Sequence, residues 1–527
     1  MKYEIEQIDG TSISNKYHLS SLVSKVLTKA NLDDSKILEI LDTDDTLSTS
    51  KSKCVTEACA RILKAKENKE KVFVGGDYDT DGICSTAIMK DILDKLEIEN
   101  GYYIPNRFKE GYGLSGKTVE LAYKKGYTLI ITVDNGVKAF DAIEKANELG
   151  IDIIVTDHHQ IDKEVNATIV VHPNYMEKEY ANLSGAGVVL ELSRNLLGEI
   201  DKHTALACIA LIGDVMPFWL ETRKIIRKGC KLIQKGVLPS VSSLLSKGEV
   251  DETAIAFQVV PKLNSVARLK DESNVNTLVP FLLSDNLKVI SDYKTALNKV
   301  NDKRKALSSA MVSKAETLID HDKSMLVIYD DSFDEGLAGL VAGRIAATQK
   351  KPCIILTSGE EKIKASGRSI PGFNLFEFFN VGFDEFTEFG GHEQAVGFSF
   401  NKDDLDRVKE KILTKFESLS TNSEAVDKVI ALEDLDITID AIEDLNMLKP
   451  IPKEFNKLKF GVKYPYITNV QHYDKVTKYT FSNGLDGVLF SYQKVNALDN
   501  PTRVIGTLAI NEFRGKKTPQ ILIEYMD

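Results

Sequence analysis

Cysteine is scarce: six in 527 residues (Cys54, Cys59, Cys84, Cys208, Cys230, Cys353), with no C-x-x-C pair. A chain of this length does not need disulfide staples, and these read as reduced, small core residues. No run approaches the roughly 18 apolar residues of a membrane helix, and "MKYEIEQIDGTS" lacks the apolar stretch of a secretory signal. Both absences predict a cytoplasmic protein with no membrane partner. Long polar tracts are also missing, and 43% hydrophobic with 28% charged residues is a globular composition. Positive charge is not in excess: the net charge of −11 argues against a surface coated uniformly for nucleic acid. A local basic groove stays possible, and an acidic site that collects divalent cations would itself add to the negative total.

What is present is organised as several domains, since a chain this long exceeds one core of roughly 100–200 residues. Between 71 and 172, β-rich runs ("KVFVGG", "YTLIITVD", "IDIIVTD", "ATIVVH") alternate with amphipathic helical patterns, which predicts βαβ units and a parallel sheet covered on both faces. Residues 186–247 read as mostly helical. From 283 to 319 there is neither glycine nor proline, which predicts one long helix leading to a second α/β region. Beyond 420 come short strand candidates parted by turn residues, as in a small β-barrel or sandwich. The predicted boundaries are an N-terminal extension over 1–50, a first α/β domain over 51–285, a connecting helix over 286–322, a second α/β domain over 323–420 and the barrel over 421–527.

Chemistry concentrates at strand ends. In "VFVGGDYDTDGICST", Asp77, Asp79 and Asp81 alternate between an apolar strand and a helix, and carboxylates so close repel one another unless cations neutralise them. An EF-hand loop also begins D-x-D-x-D-G, but its closing glutamate position holds Ile88, and a strand precedes this stretch. "LIITVDNGV" places Asp134 after a second strand, and "IIVTDHHQ" places Asp157, His158 and His159 after a third, using two of only eight histidines. Each aspartate alone is as readily a helix cap. In a parallel α/β sheet, however, the carboxyl ends of strands share one edge, so the three turns converge. Asp214, in the apolar run "ALIGDVMPF", is a fourth candidate, because an unpaired buried carboxylate is costly. Carboxylates with imidazoles and no cysteine suit Mn²⁺ or Mg²⁺.

In order, "GGDYDTDG", "VDNG", "TDHH" and "GDVMP" resemble the four motifs of the DHH phosphoesterase superfamily. "IPNRFKEGYGL", "SGAGVVLEL", "VVPKLNSVARL", "GLVAGRI", "ASGRSIPGFNL" and "FGGHEQAVGF" are similar to its branch of bacterial single-strand-specific exonucleases. The sequence departs from the pattern at Gly75, where a histidine is common, in "LNSVARL", and in "DEGLAGLVAGR". The resemblance implies a parallel-sheet DHH catalytic domain, a DHH-associated substrate-binding domain and a C-terminal OB-like barrel. It also implies a 5′-to-3′ exonuclease of single-stranded DNA that releases 5′-mononucleotides in recombination and repair.

By the same resemblance, two Mn²⁺ or Mg²⁺ ions are held by Asp79, Asp81, Asp134, His158 and Asp214, with Asp134 bridging. Asp77 and Asp157 are ligands or orienting residues, and His159 touches the scissile phosphate or assists the leaving group. Arg107, Asn264, Arg268 and Arg368 are expected to hold phosphate. Ser366 and Ser369 of the "ASGRSIPG" loop hold the 5′ end, with His392 near phosphate. Lys299, Lys303, Arg304 and Lys305 either track the strand or form a solvated helix face. Tyr466, Phe481 and Phe490 are expected as stacking platforms, and the other histidines, His172 and His203 included, as ordinary. The barrel admits a single-strand-binding protein or a RecQ-type helicase as partner. Two rival readings are a DHH enzyme acting on short oligoribonucleotides or cyclic dinucleotides, which needs no barrel, and a catalytically silent replication scaffold, which needs no acidic set.

Overall fold

The computed structural model describes residues 2–270, 274–359, 361–419, 426–452, 455, 458–493 and 495–527. Strand β1 (Lys2–Glu6) opens the chain. Five parallel strands follow, β2 (Val72–Gly75), β3 (Asn100–Tyr103), β4 (Leu129–Val133), β5 (Asp152–Thr156) and β6 (Ile169–Val171), in the order β3-β2-β4-β5-β6. Strand residues alternate between two cores. Val72, Val74, Ile131 and Ile154 face the helices Lys53–Glu67, Thr80–Lys95, Gly185–Leu197 and Asp201–Gly213, whereas Phe73, Ile130, Ile153 and Val155 face Gly116–Lys124 and Phe140–Glu148. The chain leaves β2 toward β3 on one side and returns to β4 on the other. The crevice at the carboxyl ends of β2 and β4 is therefore a topological switch point, where α/β sheets bind ligands.

The helix Leu287–Thr317 spans 31 residues, about 46 Å at the usual rise. Up to Leu297 it buries Ile290 and Leu297 in the first domain; from Val300 onward it buries Val300, Met311, Val312 and Ala315 in the second. That second domain is a mixed sheet of β7 (Leu326–Tyr329), β8 (Cys353–Ser358), β9 (Lys362–Arg368), β10 (Glu388–His392) and β11 (Ala395–Asn401), ordered β10-β11-β9-β8-β7. Only β7 and β8 run parallel. The helix Glu335–Gln349 covers one face, and a phenylalanine-rich core that includes Phe378, Phe379 and Phe398 covers the other.

The C-terminal sheet joins β12 (Val426–Ala431), β13 (Phe460–Lys463), β14 (Ile467–His472), β15 (Val476–Phe481), β16 (Asp486–Phe490), β17 (Arg503–Phe513) and β18 (Lys516–Met526). Its eighth strand is β1, paired in parallel with β12. The N-terminal segment is thus no free-standing extension. Its helices Ser21–Lys29 and Asp34–Leu41 share a core with Trp219 of the first domain and with Ile430 and Phe460. Phe481, expected as a stacking platform, is buried in the core of this sheet, because β15 is an interior strand and its alternate residues point inward. No helix among the described residues is long and apolar enough to cross a membrane.

Arg223, fully buried on the helix Glu221–Gln234, ties these parts together. Its guanidinium donates to the carbonyl oxygens of Pro450 (2.6 Å), Lys449 (3.1 Å), Leu448 (3.2 Å) and Ile40 (3.4 Å). Replacing it by methionine strips four buried acceptors of one donor group. Arg223→Met should cost about 2–4 kcal/mol, and calorimetry should show an earlier transition, with protease cutting first near residues 448–450. Wild-type melting and cleavage would contradict the clamp.

Candidate metal centre at the strand ends

Asp77 follows β2 and is buried, with neither carboxylate oxygen hydrogen-bonded. Asp79 caps the helix Thr80–Lys95, accepting from the backbone N–H groups of Asp81 (3.0 Å) and Gly82 (3.1 Å). Gly82 is required here, since a Cβ would lie 2.4 Å from the Asp77 carbonyl oxygen. Asp81, in the first turn of that helix, accepts from Gly185 N (2.7 Å), Ala186 N (2.8 Å) and Ser184 Oγ (3.0 Å), at the amino end of the helix Gly185–Leu197. Asp134 sits after β4 with φ of 60° and a buried, unbonded Oδ1. Asp214 ends the helix Asp201–Gly213 and keeps 29% of its side chain exposed.

His158 brings these groups to one point. Its Nε2 lies 3.2 Å from Asp134 Oδ1, 3.5 Å from Asp214 Oδ2 and 3.6 Å from Asp81 Oδ2, with no hydrogen-bond partner of its own. Ligand atoms of Asp77, Asp79 and Asp134 come within 4.8 Å of one another, as do those of Asp81, His158 and Asp214, and those of Asp134, His158 and His159. Asp134 and His158 each belong to two of these groups.

The electrostatics carry the same message. Burial, then the charge of Asp79, raises Asp77 well above the usual carboxylate range. Burial, then the charges of Asp81, Asp79, Asp77 and Asp214, does the same to Asp134. Asp79 is raised by burial and by Asp81, and Asp214 is pushed up to about 8 by burial and by Asp81 and Asp79. Burial lowers His158, favouring the neutral ring that a metal ligand needs.

Asp157 and His159 behave differently. Asp157 Oδ1 accepts from His158 N (2.7 Å), His159 N (3.1 Å) and His159 Nδ1 (2.8 Å), and Oδ2 accepts from Val137 N (3.0 Å). Burial alone would raise this carboxyl, but the His159 imidazole and these N–H groups hold it at about 2. Burial likewise opposes the charge on His159, yet the Asp157 hydrogen bond and charge lift it to about 9. Both Asp157 oxygens are thus already engaged by its own turn and by Val137.

Several residues expected to be ordinary, or not singled out, support the site. His172 Nε2 bonds the His159 carbonyl oxygen at 2.9 Å. Buried Asn135 donates to the carbonyls of Gly75 and Val133 and accepts from Leu114 N, lacing β2, β4 and the 111–114 loop together. Gly185 leaves room for Asp134, whose Cβ would stand 2.5 Å from a Gly185 Cβ. His203 lies in a separate buried network with Ser193 and Asp91.

Opposite the carboxylates stand arginines. Arg107 lies 5.3 Å from the Tyr78 ring centroid and lines a cavity of about 290 Å³ with Glu335, Thr357, Lys364, Ser366 and Phe389, so the cavity spans both α/β domains. Burial, then the charges of Arg107, Arg368 and Arg304, lowers Arg268 to about 10. Burial and Arg107 also lower Arg368. Gly336 and Gly339 admit Arg268 and Arg368: added Cβ atoms would meet the Arg268 carbonyl oxygen at 2.1 Å and the Arg368 guanidinium at 2.9 Å. Arg304 bonds Asn301 and turns inward, while Lys305 lies by Asp302 on the exposed face.

Two expected phosphate holders also brace the chain around them. Asn264 Oδ1 accepts from Thr80 N (2.8 Å) and Thr80 Oγ1 (2.9 Å), bracing the Asp79 turn, and Ser369 Oγ donates to the Phe373 carbonyl oxygen (2.6 Å). His392 ends β10 in an exposed position, in register with Ala395, which is in register with Arg368.

Asp214 has its folded value raised to about 8 from 3.8, so the metal-free protein binds more protons folded than unfolded between these values. Its stability should therefore fall as pH rises from about 4 to about 8. Mn²⁺ should release protons on binding and raise the melting temperature more near pH 8 than near pH 6. Proton-release calorimetry and thermal shift after chelation check this; metal-induced stabilisation that grows as pH falls would contradict it.

Orphaned oxygens on Asp77 and Asp134, with the unpartnered His158 Nε2, form a donor set that fits a hard divalent cation. Comparison with known proteins agrees. The chain matches the DHH family, N-terminal domain, over residues 71–213, the DHHA1 domain over 322–418 and the RecJ OB domain over 426–525. It is 31% identical to the single-stranded-DNA-specific exonuclease RecJ of Bacillus subtilis, covering 99% of this chain and 70% of that protein. Its fold is similar to that of RecJ from Thermus thermophilus in complex with Mn²⁺, with a TM-score of 0.85 at 21% identity over 99% of this chain and 78% of that one. The Mg²⁺ complex of the Thermus protein gives a TM-score of 0.77 at the same identity and coverage. Three collinear domains and a relative matched along nearly the whole chain make this protein a member of the RecJ family of DHH proteins.

Proposed function

We propose that this protein is a metal-dependent exonuclease that hydrolyses single-stranded DNA from its 5′ end and releases 5′-mononucleotides. The observation that carries this reading is a largely buried, cation-deficient carboxylate cluster facing a half-buried cluster of three arginines. A phosphodiester with divalent metal satisfies both.

Asp77, Asp79, Asp81, Asp134, His158 and Asp214 would hold two Mn²⁺ or Mg²⁺ ions, with Asp134 shared between them. When bound, such ions polarise the phosphate and lower the pKa of a bound water. Asp157 keeps His159 protonated, so the imidazolium can contact the scissile phosphate and give a proton to the leaving oxygen. Arg107, Arg268 and Arg368 offer planar forks to phosphate oxygens, with Ser366 beside them and His392 two strands away. Asn264 and Ser369, the other expected phosphate holders, also steady the Asp79 turn and the 369–373 loop. In the C-terminal domain Tyr466 is 74% exposed, and Tyr464, Tyr473 and Phe513 are exposed too. They are suited to stack unpaired bases, a need that a dinucleotide substrate would not create.

The test offers 5′-phosphorylated and 5′-hydroxyl single strands, duplexes and dinucleotides with Mn²⁺, Mg²⁺ or EDTA. Asp134→Ala should lower activity on single strands by about 10³-fold or more, and EDTA should abolish it. Arg368→Ala should raise KM about tenfold or more for the phosphorylated strand, and less for the hydroxyl one. Preference for dinucleotides, or activity that survives EDTA, would overturn the reading.

A further inference from the structure

Tyr112 stands where the carboxylate cluster, the Asp157–His159 pair and the arginine side of the cleft meet. Its hydroxyl donates to the Asp134 carbonyl oxygen at 2.7 Å. The oxygen's lone pairs then face the His159 imidazole, with Nδ1 at 3.2 Å and Nε2 at 3.4 Å. Its ring is edge-on to His159, 5.6 Å between centroids, and edge-on to Tyr78 at 6.3 Å. Tyr78 in turn carries Arg107 over its face, and His159 leans on His158 at 4.5 Å. Five planar groups, Arg107, Tyr78, Tyr112, His159 and His158, therefore run in contact from the phosphate side to the metal side.

The segment that presents Tyr112 is built for the purpose. Gly111 and Gly113 on either side have φ of 82° and 70°, and Leu114 N is held by Asn135 Oδ1. Asn135 is itself fixed to the ends of β2 and β4, so Tyr112 is anchored to the strands that carry Asp77 and Asp134. A tyrosine retained only as core would be buried, yet Tyr112 is 48% exposed while its hydroxyl is engaged on both sides.

We infer that Tyr112 is a positioning residue of the reaction: its hydroxyl fixes the His159 ring and the Asp134 backbone, and its ring forms a wall of the nucleotide path. This rests on the exonuclease reading for its kinetic effect and on geometry alone for its effect on His159. Asp157 holds the imidazole through Nδ1; the Tyr112 oxygen, 3.4 Å from Nε2, supplies the second contact that stops the ring pivoting about that bond.

The experiment compares wild type, Tyr112→Phe and Tyr112→Ala as Mg²⁺-loaded full-length protein on 5′-phosphorylated single strands. Tyr112→Phe keeps the ring and loses the hydroxyl, so kcat should fall about tenfold while KM stays within about twofold. Tyr112→Ala should lower kcat similarly and also raise KM. In parallel, long-range ¹H–¹⁵N spectra of histidine-labelled protein should show the His159 ring signals shifted or broadened in Tyr112→Phe, with the His203 signals unmoved. Wild-type kcat together with wild-type His159 signals in Tyr112→Phe would overturn the inference. Loss of kcat with unchanged His159 signals would overturn it too, by placing the hydroxyl on substrate instead. An inactive wild type would defeat the exonuclease reading, while the His159 spectra still decide the positioning role.

Discussion

A fold that gathers acidic side chains below its surface must either hydrogen-bond them or leave them to bind something else. This one does both, in a fixed pattern. Backbone N–H groups and the His159 imidazole engage both oxygens of Asp157, while N–H groups and a hydroxyl orient Asp81 and one oxygen of Asp79, with Asp81 Oδ2 still 3.6 Å from His158 Nε2. Asp77, one oxygen of Asp134 and the His158 Nε2 receive nothing. Unpaired groups in a low dielectric are expensive, and the surrounding sheet and helices, with their large apolar cores, stabilise the arrangement that keeps them unpaired. The deficit is located at the switch point of the parallel sheet, where three βα turns and a helix end converge.

Glycines set how closely those elements approach. Gly82 lets the helix carrying Asp81 pass the Asp77 carbonyl, and Gly185 lets the next helix press its amino end against Asp134 while its N–H groups reach Asp81. Across the cleft, Gly336 and Gly339 on one helix do the same for Arg268 and Arg368. The motifs "SGAG" and "GLAGLVAG" thus act by providing space, with the acids and arginines as the groups that use it.

The parts of this arrangement that were legible in sequence are those encoded by local pattern. Apolar runs ending in aspartate marked β2, β4 and β5, and the absence of glycine and proline marked the long helix. Convergence of Asp77, Asp79, Asp81, Asp134 and His158 followed from the rule that parallel strands share an edge, whereas Asp214, at a helix end, was marked by the apolar run around it. What stayed hidden depends on long-range contacts. Nothing near His172 says that it holds the DHH turn from beyond the next strand, nor near Asn264 that its amide oxygen accepts from Thr80, 184 positions away. Phe481 and Tyr466 are both aromatic residues at the ends of strand candidates, and only the sheet order tells which is interior. The pairing of β1 with β12 joins the two ends of the chain, which no local window contains.

The two charged clusters do not cancel each other, although both border Tyr78. Were they directly paired, the aspartates would be held low and the arginines high; instead Asp134 and Asp214 are raised while Arg268 and Arg368 are lowered. Tyr78 borders both, since its ring carries Arg107 on its face and its backbone joins Asp77 to Asp79. A polyanion alone would be attracted by the arginines and repelled by the carboxylates. Cations alone would face the reverse. Only the two together lower the energy of both sides, so on the proposed reading this charge distribution would make metal and phosphate mutually dependent ligands of one cleft.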